Sequence, residues 1–286
     1  MKNFIKETRQ SIRIIKNDIV RKYYDLRINQ VKDPYRVMFR PEPYKFIFIL
    51  SHMRSGSSLL TNILSSHKEI LGYGETHIQY TNEFDLNKLV FKVYRKTQNI
   101  RSFPELKKLR MNHKYILDKT LHNHLFLDEN LLNSENLYSI FLLREPERTI
   151  ASLLDLKPHW SEEKALNYYL ERLSTLERYG KLINSKERSL VITHNQLLNQ
   201  TDIVFDAFKK FLGTQSEFSE EYEVTNKTGI PGIGDSKGKI NKGIIDRNPR
   251  KLKQKITPKS IAEGMKGFEN CVSILSKYCS FVENPN

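Results

Sequence analysis

The sequence predicts an α/β fold: a single domain with a central parallel sheet flanked by helices. Three observations carry this. Apolar runs of strand length recur at Phe46–Leu50, Leu137–Leu143 and Leu190–Thr193. They are too continuous for a sheet with one wet face and suit strands covered on both. Segments of helical length, with apolar residues three and four apart, separate them. The first run also passes through a short polar turn, Ser51-His52-Met53-Arg54-Ser55-Gly56, directly into an apolar-periodic segment from Ser57. Such a strand–turn–helix unit aims backbone N–H groups and a helix N-terminus at one point, where an anion can sit.

The elements follow in order. Residues 1–30 form an amphipathic helix, with Phe4, Ile5, Ile12, Ile15, Ile19, Tyr23 and Leu26 loosely at helical spacing. Pro34, Pro41 and Pro43 interrupt it, so residues 1–40 read as a basic N-terminal extension and 41–286 as the domain. Ser57–Ser66 is the first crossover helix, Asn82–Lys96 a helix, Tyr115–Leu117 a short strand and Leu121–Leu132 a further helix. A helix begins near Pro146, a favourable first-turn residue. Ser161–Asn184 is a long helix, with Ser161 as N-cap and Glu162-Glu163 in the first turn. Asp202–Leu212 is a helix stopped by Gly213. Thr225–Arg250 is a glycine-rich basic loop, and Pro258–Phe281 closes the chain as a helix.

Composition bounds the function. At 286 residues, 38% hydrophobic and 28% charged, the chain can bury a full core. No apolar stretch approaches the ~20 residues of a membrane helix, and the N-terminus lacks the apolar core of a secretory signal. The two cysteines, Cys271 and Cys279, lie eight apart in one helix, too far to bridge. A reduced, cytoplasmic setting is expected. The formal charge of +14 is concentrated: residues 1–40 carry +7, residues 235–266 another +7, and the remainder sums to zero. No finger, RNA-recognition or helix-turn-helix signature accompanies it, so nucleic acid is not the expected partner. The basic segments suit a highly anionic small ligand, an acidic acceptor or, for the N-terminal one, a peripheral membrane contact, and equally a solvated basic face.

The turn does not suit a metal-bound triphosphate. A nucleotide triphosphatase needs Gly-x-x-x-x-Gly-Lys-Ser/Thr; Ser51 stands in place of the first glycine, and Ser57-Ser58 replace the lysine and hydroxyl. The second long strand ends in Leu143-Arg144 rather than in a magnesium-holding aspartate. Arg54, with Gly56 allowing close backbone approach, suits an anion without a metal. Downstream, Arg144 follows the strand and Ser152 lies eight residues on, about two helical turns away. A strand-end guanidinium and a helix hydroxyl can grip a second phosphate.

In these motifs the chain resembles the sulfotransferases that use 3′-phosphoadenosine 5′-phosphosulfate (PAPS). The resemblance implies a fold like that of the P-loop nucleoside-triphosphate hydrolases. It implies that Arg54, Ser55, Gly56, Ser57 and Ser58 bind the 5′-phosphosulfate, and that Arg144 and Ser152 bind the 3′-phosphate. Asp118-Lys119-Thr120 resembles the family's mid-chain lysine segment. Thr193-His194-Asn195-Gln196-Leu197-Leu198, with Phe211-Leu212-Gly213, resembles its strand–loop–helix. Gly232–Ile240, with Ser236 and Lys239, resembles the basic loop that closes over the nucleotide. The match spans roughly residues 45–280. PAPS is the implied co-substrate, with no metal required.

A sulfuryl acceptor must lose a proton as it attacks, so a positioned base is useful. By the resemblance Glu75, in Gly74-Glu75-Thr76-His77, is the first choice. His122 is the second: cytosolic members place a histidine directly after Lys-Thr, whereas here Leu121 occupies that position. Arg54 and Lys119 would stabilise charge on the sulfonate and the leaving oxygen. The arginine form of the turn is more like Golgi-type and bacterial members, which makes a carbohydrate hydroxyl the leading acceptor. A small secondary metabolite, alcohol or amine, comes next. A Mg-dependent kinase and a non-catalytic basic binding module are the rivals. His122 and His124 have no third ligand at a metal-binding spacing, and Trp160 reads as a packing residue.

Overall fold

The computed structural model describes residues 2–97, 105, 111–125, 127–224, 238–248 and 252–282. In chain order the elements are α1 (Lys2–Asn29), β1 (Lys45–Ser51), α2 (Ser57–Ser65), β2 (Ile70–Gly72), α3 (Asp85–Thr97), β3 (Tyr115–Thr120), α4 (Glu129–Asn133), β4 (Leu137–Leu143), α5 (Pro146–Leu156), α6 (Glu162–Ile183), β5 (Ser189–Thr193), α7 (His194–Asn199), α8 (Thr201–Leu212), a 3₁₀ turn (Lys239–Lys242), α9 (Pro258–Tyr278) and β6 (Ser280–Phe281).

Among the described residues the sheet has six strands in the order β2-β3-β1-β4-β5-β6, all parallel. The continuous apolar runs become strands buried on both faces, as a parallel sheet requires. Side chains alternate between two cores. Phe46, Phe48, Leu50 and Phe141 join residues of α1, α3, α6 and α9 on one face. Ile47, Ile49, Ile140 and Leu142 join residues of α2, α7 and α8 on the other. From β1 the chain first builds β2 and β3 to one side, then β4, β5 and β6 to the other. β1 is therefore the switch point, and a crevice opens beyond the strand C-termini there.

The sequence-based elements and the structure differ in places. Leu121–Leu132 is not one helix. Asp128 N–H donates to Tyr80 O at 2.8 Å, and Leu127 bridges Tyr80, so cross-chain bonding takes the backbone before Asp128 caps the short α4 through Asn130 N–H. The last helix stops at Tyr278 rather than Phe281, because Ser280 and Phe281 pair with Leu190 and Val191. β3 runs on to Thr120, three residues beyond expectation, since β1 pairs with it through Leu50↔Thr120. α3 begins at Asp85, whose carboxylate accepts from Thr81 N–H, rather than at Asn82. The three-residue β2 carried no periodic signal and was missed. The expected N-cap Ser161 accepts from Lys164 N–H, and Gly213 ends α8 at φ 55°. Tyr24 and Ile28 of α1, with Tyr35 and Val37 after it, lie in the main core.

One charged side chain lies at the centre. Arg172 of α6 is fully buried, and its guanidinium donates to Ser51 O (2.7 Å), Thr120 O (2.8 Å) and Asn123 Oδ1 (3.2 Å). It thus joins the C-terminal ends of β1 and β3. Cys271 and Cys279 are both buried and free. Among the described residues no helix is long and apolar enough to cross a membrane. Replacing Arg172 by Met should lower stability by about 3 kcal/mol, because buried carbonyls lose a charged donor. Urea unfolding checks this, and a loss under about 1 kcal/mol, the size of an ordinary substitution, would contradict it.

Candidate active site

The crevice begins with the turn after β1. Gly56 is the N-cap of α2 at φ 98°, and no side chain caps the helix. The N–H groups of its first turn are therefore available to a ligand. A Cβ on Gly56 would lie 2.6 Å from His194 Cδ2, so glycine is needed for both the left-handed backbone and the close approach. Arg54 is also left-handed, at φ 67°. His52 sits fully buried behind the turn. Its Nδ1 is 3.0 Å from Met53 O, and its Nε2 accepts from Arg144 N–H at 3.2 Å. Burial pushes its pKa down to about 4, so it holds the turn against β4 as a neutral ring. Ser55 is buried with its Oγ 2.6 Å from Ser51 Oγ, a structural placement, while Ser57 and Ser58 line the crevice.

The residues expected to form a second clamp, Arg144 and Ser152, lie next to the turn, Arg144 lining the crevice and Ser152 buried. Arg144 follows β4, and its Nη1 donates to Arg54 O at 2.8 Å. Arg54 Nε in turn donates to Ser152 Oγ at 2.8 Å. The Arg54 guanidinium therefore lies with the Arg144–Ser152 pair, and its side chain links the two motifs. Tyr169 OH donates to Arg144 O at 2.7 Å, which fixes the strand end from α6.

Lys119 is the cation at the turn itself. It leaves β3 buried, with Nζ 3.0 Å from Ser58 Oγ; burial lowers its pKa, while Glu75 and Asp118 oppose the shift. Glu75 lines the same crevice, and its Oε1 is buried without a hydrogen-bond partner. Burial raises its pKa, against the nearby Lys119. His122 Nε2 is 3.9 Å from that oxygen, and its ring stacks on His124 at 5.1 Å. Burial, then the neighbouring His124 and Arg172, push His122 down to about 4, leaving it neutral at physiological pH. Both candidate bases thus stand together beside Lys119. Behind them, Asp118 accepts from Thr76 N–H and Oγ1–H and from Tyr80 OH; burial raises its pKa and these bonds oppose the rise.

The cavity measures about 680 Å³, within the ~300–1,000 Å³ of ligand pockets. Lys239 lines its far side, 3.4 Å from Asp246; Ser236 lies outside the described residues. Arg148, His194, Lys157 and Arg247 also line it and were not singled out from sequence. Arg148 could have been, since it stands one helical turn beyond Arg144. His194 could have been too, as the first residue past the C-terminal end of β5. Burial, with Arg144 and Arg148 nearby, pushes His194 down to about 3. Among the described residues no three His, Cys, Asp or Glu side chains form a metal-holding group. The site joins an uncapped helix N-terminus, a glycine cradle, Arg54 and Arg144 linked through one carbonyl, and Glu75 near Lys119.

Comparison with known proteins gives the family and the fold. The sequence profile described as the Sulfotransferase family matches residues 47–218. No curated protein sequence matches the chain. Among solved structures, the sulfotransferase domain from the curacin biosynthetic pathway superposes with a TM-score of 0.53 at 15% identity, over 86% of this chain and 100% of that one. The sulfotransferase domain from the Synechococcus PCC 7002 olefin synthase gives 0.50 at 18% identity, over 80% and 96%. These likenesses show the shared fold, and the profile match spans more than half of the sequence. The chain belongs to the sulfotransferase family.

Proposed function

We propose that this sulfotransferase moves a sulfuryl group from PAPS to the hydroxyl of a small-molecule acceptor, with Glu75 as general base. The observation that carries the reading is the continuity of the anion sites. The open N-terminus of α2 at Gly56, Arg54 and Arg144 line one crevice, and Arg54 accepts from Arg144 through its carbonyl while its guanidinium donates to the buried Ser152. The glycine cradle, which a Cβ would fill, fits a phosphate brought against backbone. A nucleotide with 3′- and 5′-phosphates needs two such sites on one cleft.

When bound, PAPS supplies an activated sulfuryl group on a phosphate leaving group. The chain's residues would do the rest by alignment and charge. The α2 N–H groups and Ser57–Ser58 would hold the 5′ end; Arg144, Ser152 and Arg54 would hold the 3′-phosphate, with Arg148 and Lys239 adding positive charge. Lys119, beside Ser58, would offset the negative charge that develops on the departing oxygen. Glu75 would take the proton from the attacking hydroxyl; its unpartnered oxygen and its position beside Lys119 support it over His122. His122 serves the acceptor pocket as a neutral ring. The small-molecule acceptor is preferred to the carbohydrate first expected because the superposed domains come from the curacin biosynthetic pathway and an olefin synthase.

Calorimetry with adenosine 3′,5′-bisphosphate in EDTA should give saturable binding, and Gly56→Ala should weaken it roughly 100-fold, consistent with a lost backbone cradle and a left-handed strain. Absence of binding at millimolar ligand, or a strict need for Mg²⁺, would remove the reading. A panel of alcohols, phenols and saccharides with ³⁵S-PAPS would then sort the acceptor class; transfer confined to polysaccharide would return the acceptor to carbohydrate. Glu75→Gln should lower kcat by about 10²-fold or more. A base works deprotonated, so the rate should fall as pH drops through the pKa of Glu75, which burial holds above the usual carboxylate range. A limb centred near 4 that survives Glu75→Gln would instead assign His122.

A further inference from the structure

Glu75 sits in the segment Tyr73–Gln79, which belongs to no helix or strand. Gly74 and His77 have φ of 110° and 56°, so the backbone is left-handed on both sides of the Glu75–Thr76 pair. A segment of that shape holds one conformation only when its surroundings impose it. The ties converge on Thr76. Its N–H donates to Asp118 Oδ1 at 3.0 Å and its hydroxyl to Asp118 Oδ2 at 2.5 Å. Its carbonyl accepts from Lys92 Nζ on α3. Tyr80 OH donates to Asp118 Oδ2 at 2.5 Å, holding the far end of the segment to the same carboxylate.

Asp118 and Thr76 are each 1% exposed. A carboxylate in the middle of a sheet costs solvation that an aliphatic side chain in its place would not. The strand-to-strand pairing of β3 does not need it, because Ile116 and Leu117 pack the same strand with apolar side chains. What the carboxylate adds is an anchor for two donors on the segment that carries Glu75 and for a third, Tyr80 OH, just past its end. Its neighbour in sequence is Lys119, and consecutive strand residues point to opposite faces. One reaches Thr76 and the other Ser58, at 3.0 Å. Two adjacent residues of β3 thereby set the spacing between the acceptor-side carboxylate and the turn.

We infer that Asp118, acting through Thr76, is a positioning residue that holds the Glu75 carboxylate in register with Lys119. It touches neither donor nor acceptor. The inference rests on the reading of Glu75 as general base, and it goes beyond that reading by identifying what aims the base.

The test uses the full chain with Thr76→Val, which removes the hydroxyl donor, Thr76→Ser, which keeps it, Glu75→Gln, and the double variant. Three quantities are measured: release of adenosine 3′,5′-bisphosphate from PAPS with water and with 2-naphthol as acceptor probe, calorimetric affinity for the bisphosphate, and deuterium uptake along the chain. Thr76→Val should lower kcat roughly 10- to 100-fold, the effect of a small misplacement, with bisphosphate affinity unchanged. Its uptake should rise at residues 73–79 and not at 52–60. Thr76→Ser should restore both rate and protection, and adding Thr76→Val to Glu75→Gln should cause no further loss. Unchanged uptake at 73–79 in Thr76→Val overturns the inference, whether or not 2-naphthol is turned over. So does a rate loss that multiplies with that of Glu75→Gln, or a parallel loss of bisphosphate affinity. Glu75→Gln at wild-type kcat overturns the base reading and the positioning role with it. Inactive Glu75→Gln beside fully active Thr76→Val overturns the positioning role alone.

Discussion

The structure depends on one buried guanidinium. Arg172 donates to Ser51 O at the end of β1 and to Thr120 O at the end of β3. The turn leading to Gly56 follows the first of these residues, and Lys119 immediately precedes the second. A parallel sheet leaves strand-end carbonyls without ladder partners, and inside a core each must find a donor. Arg172 supplies donors to two of them from a helix that crosses beneath. The same helix sends Tyr168 OH to Leu121 O, accepting in turn from Met53 N–H, and Tyr169 OH to Arg144 O. α6 therefore holds the ends of β1, β3 and β4 at once, and the crevice inherits its shape from that helix.

Charge is arranged around this frame in layers. The neutral His52 lies behind the turn, where a proton would face Arg144 and Arg172. Arg54, Arg144 and Arg148 face the crevice, next to an equally neutral His194. Burial disfavours the charged forms of His52 and His194. Cations are retained where an anionic ligand would neutralise them, and the histidines are kept uncharged between them. Glu75 brings a carboxylate to the same crevice, close to Lys119.

Much of this was legible in the sequence. The apolar runs announced the parallel sheet, because strands covered on both faces cannot alternate. The strand–turn–helix at Gly56 was legible too, since its glycine and the apolar period that follows mark a tight turn into a helix. Arg144 and Ser152 were expected to act as a pair, but the structure bonds each of them to Arg54, a junction that depends on a left-handed arginine no local pattern specifies. The break at Leu121–Leu132 was hidden because its leucines suit helical spacing, while the deciding bond, Asp128 to Tyr80, joins residues 48 apart. β2 was too short to show a period. Arg172 looked like any polar residue of an amphipathic helix, and only the meeting of three elements makes it central. Asp118 was visible beside Lys119, yet nothing local tied it to Thr76.

The account stands on a single nucleotide spanning both anion sites, and a crystal structure with adenosine 3′,5′-bisphosphate tests that most directly. The 5′-phosphate should accept from the backbone N–H groups at the start of α2, and the 3′-phosphate from Arg144 and Ser152, with the bridging-oxygen position facing Lys119. A bisphosphate bound outside this crevice, or one that reaches only one of the two sites, would contradict it.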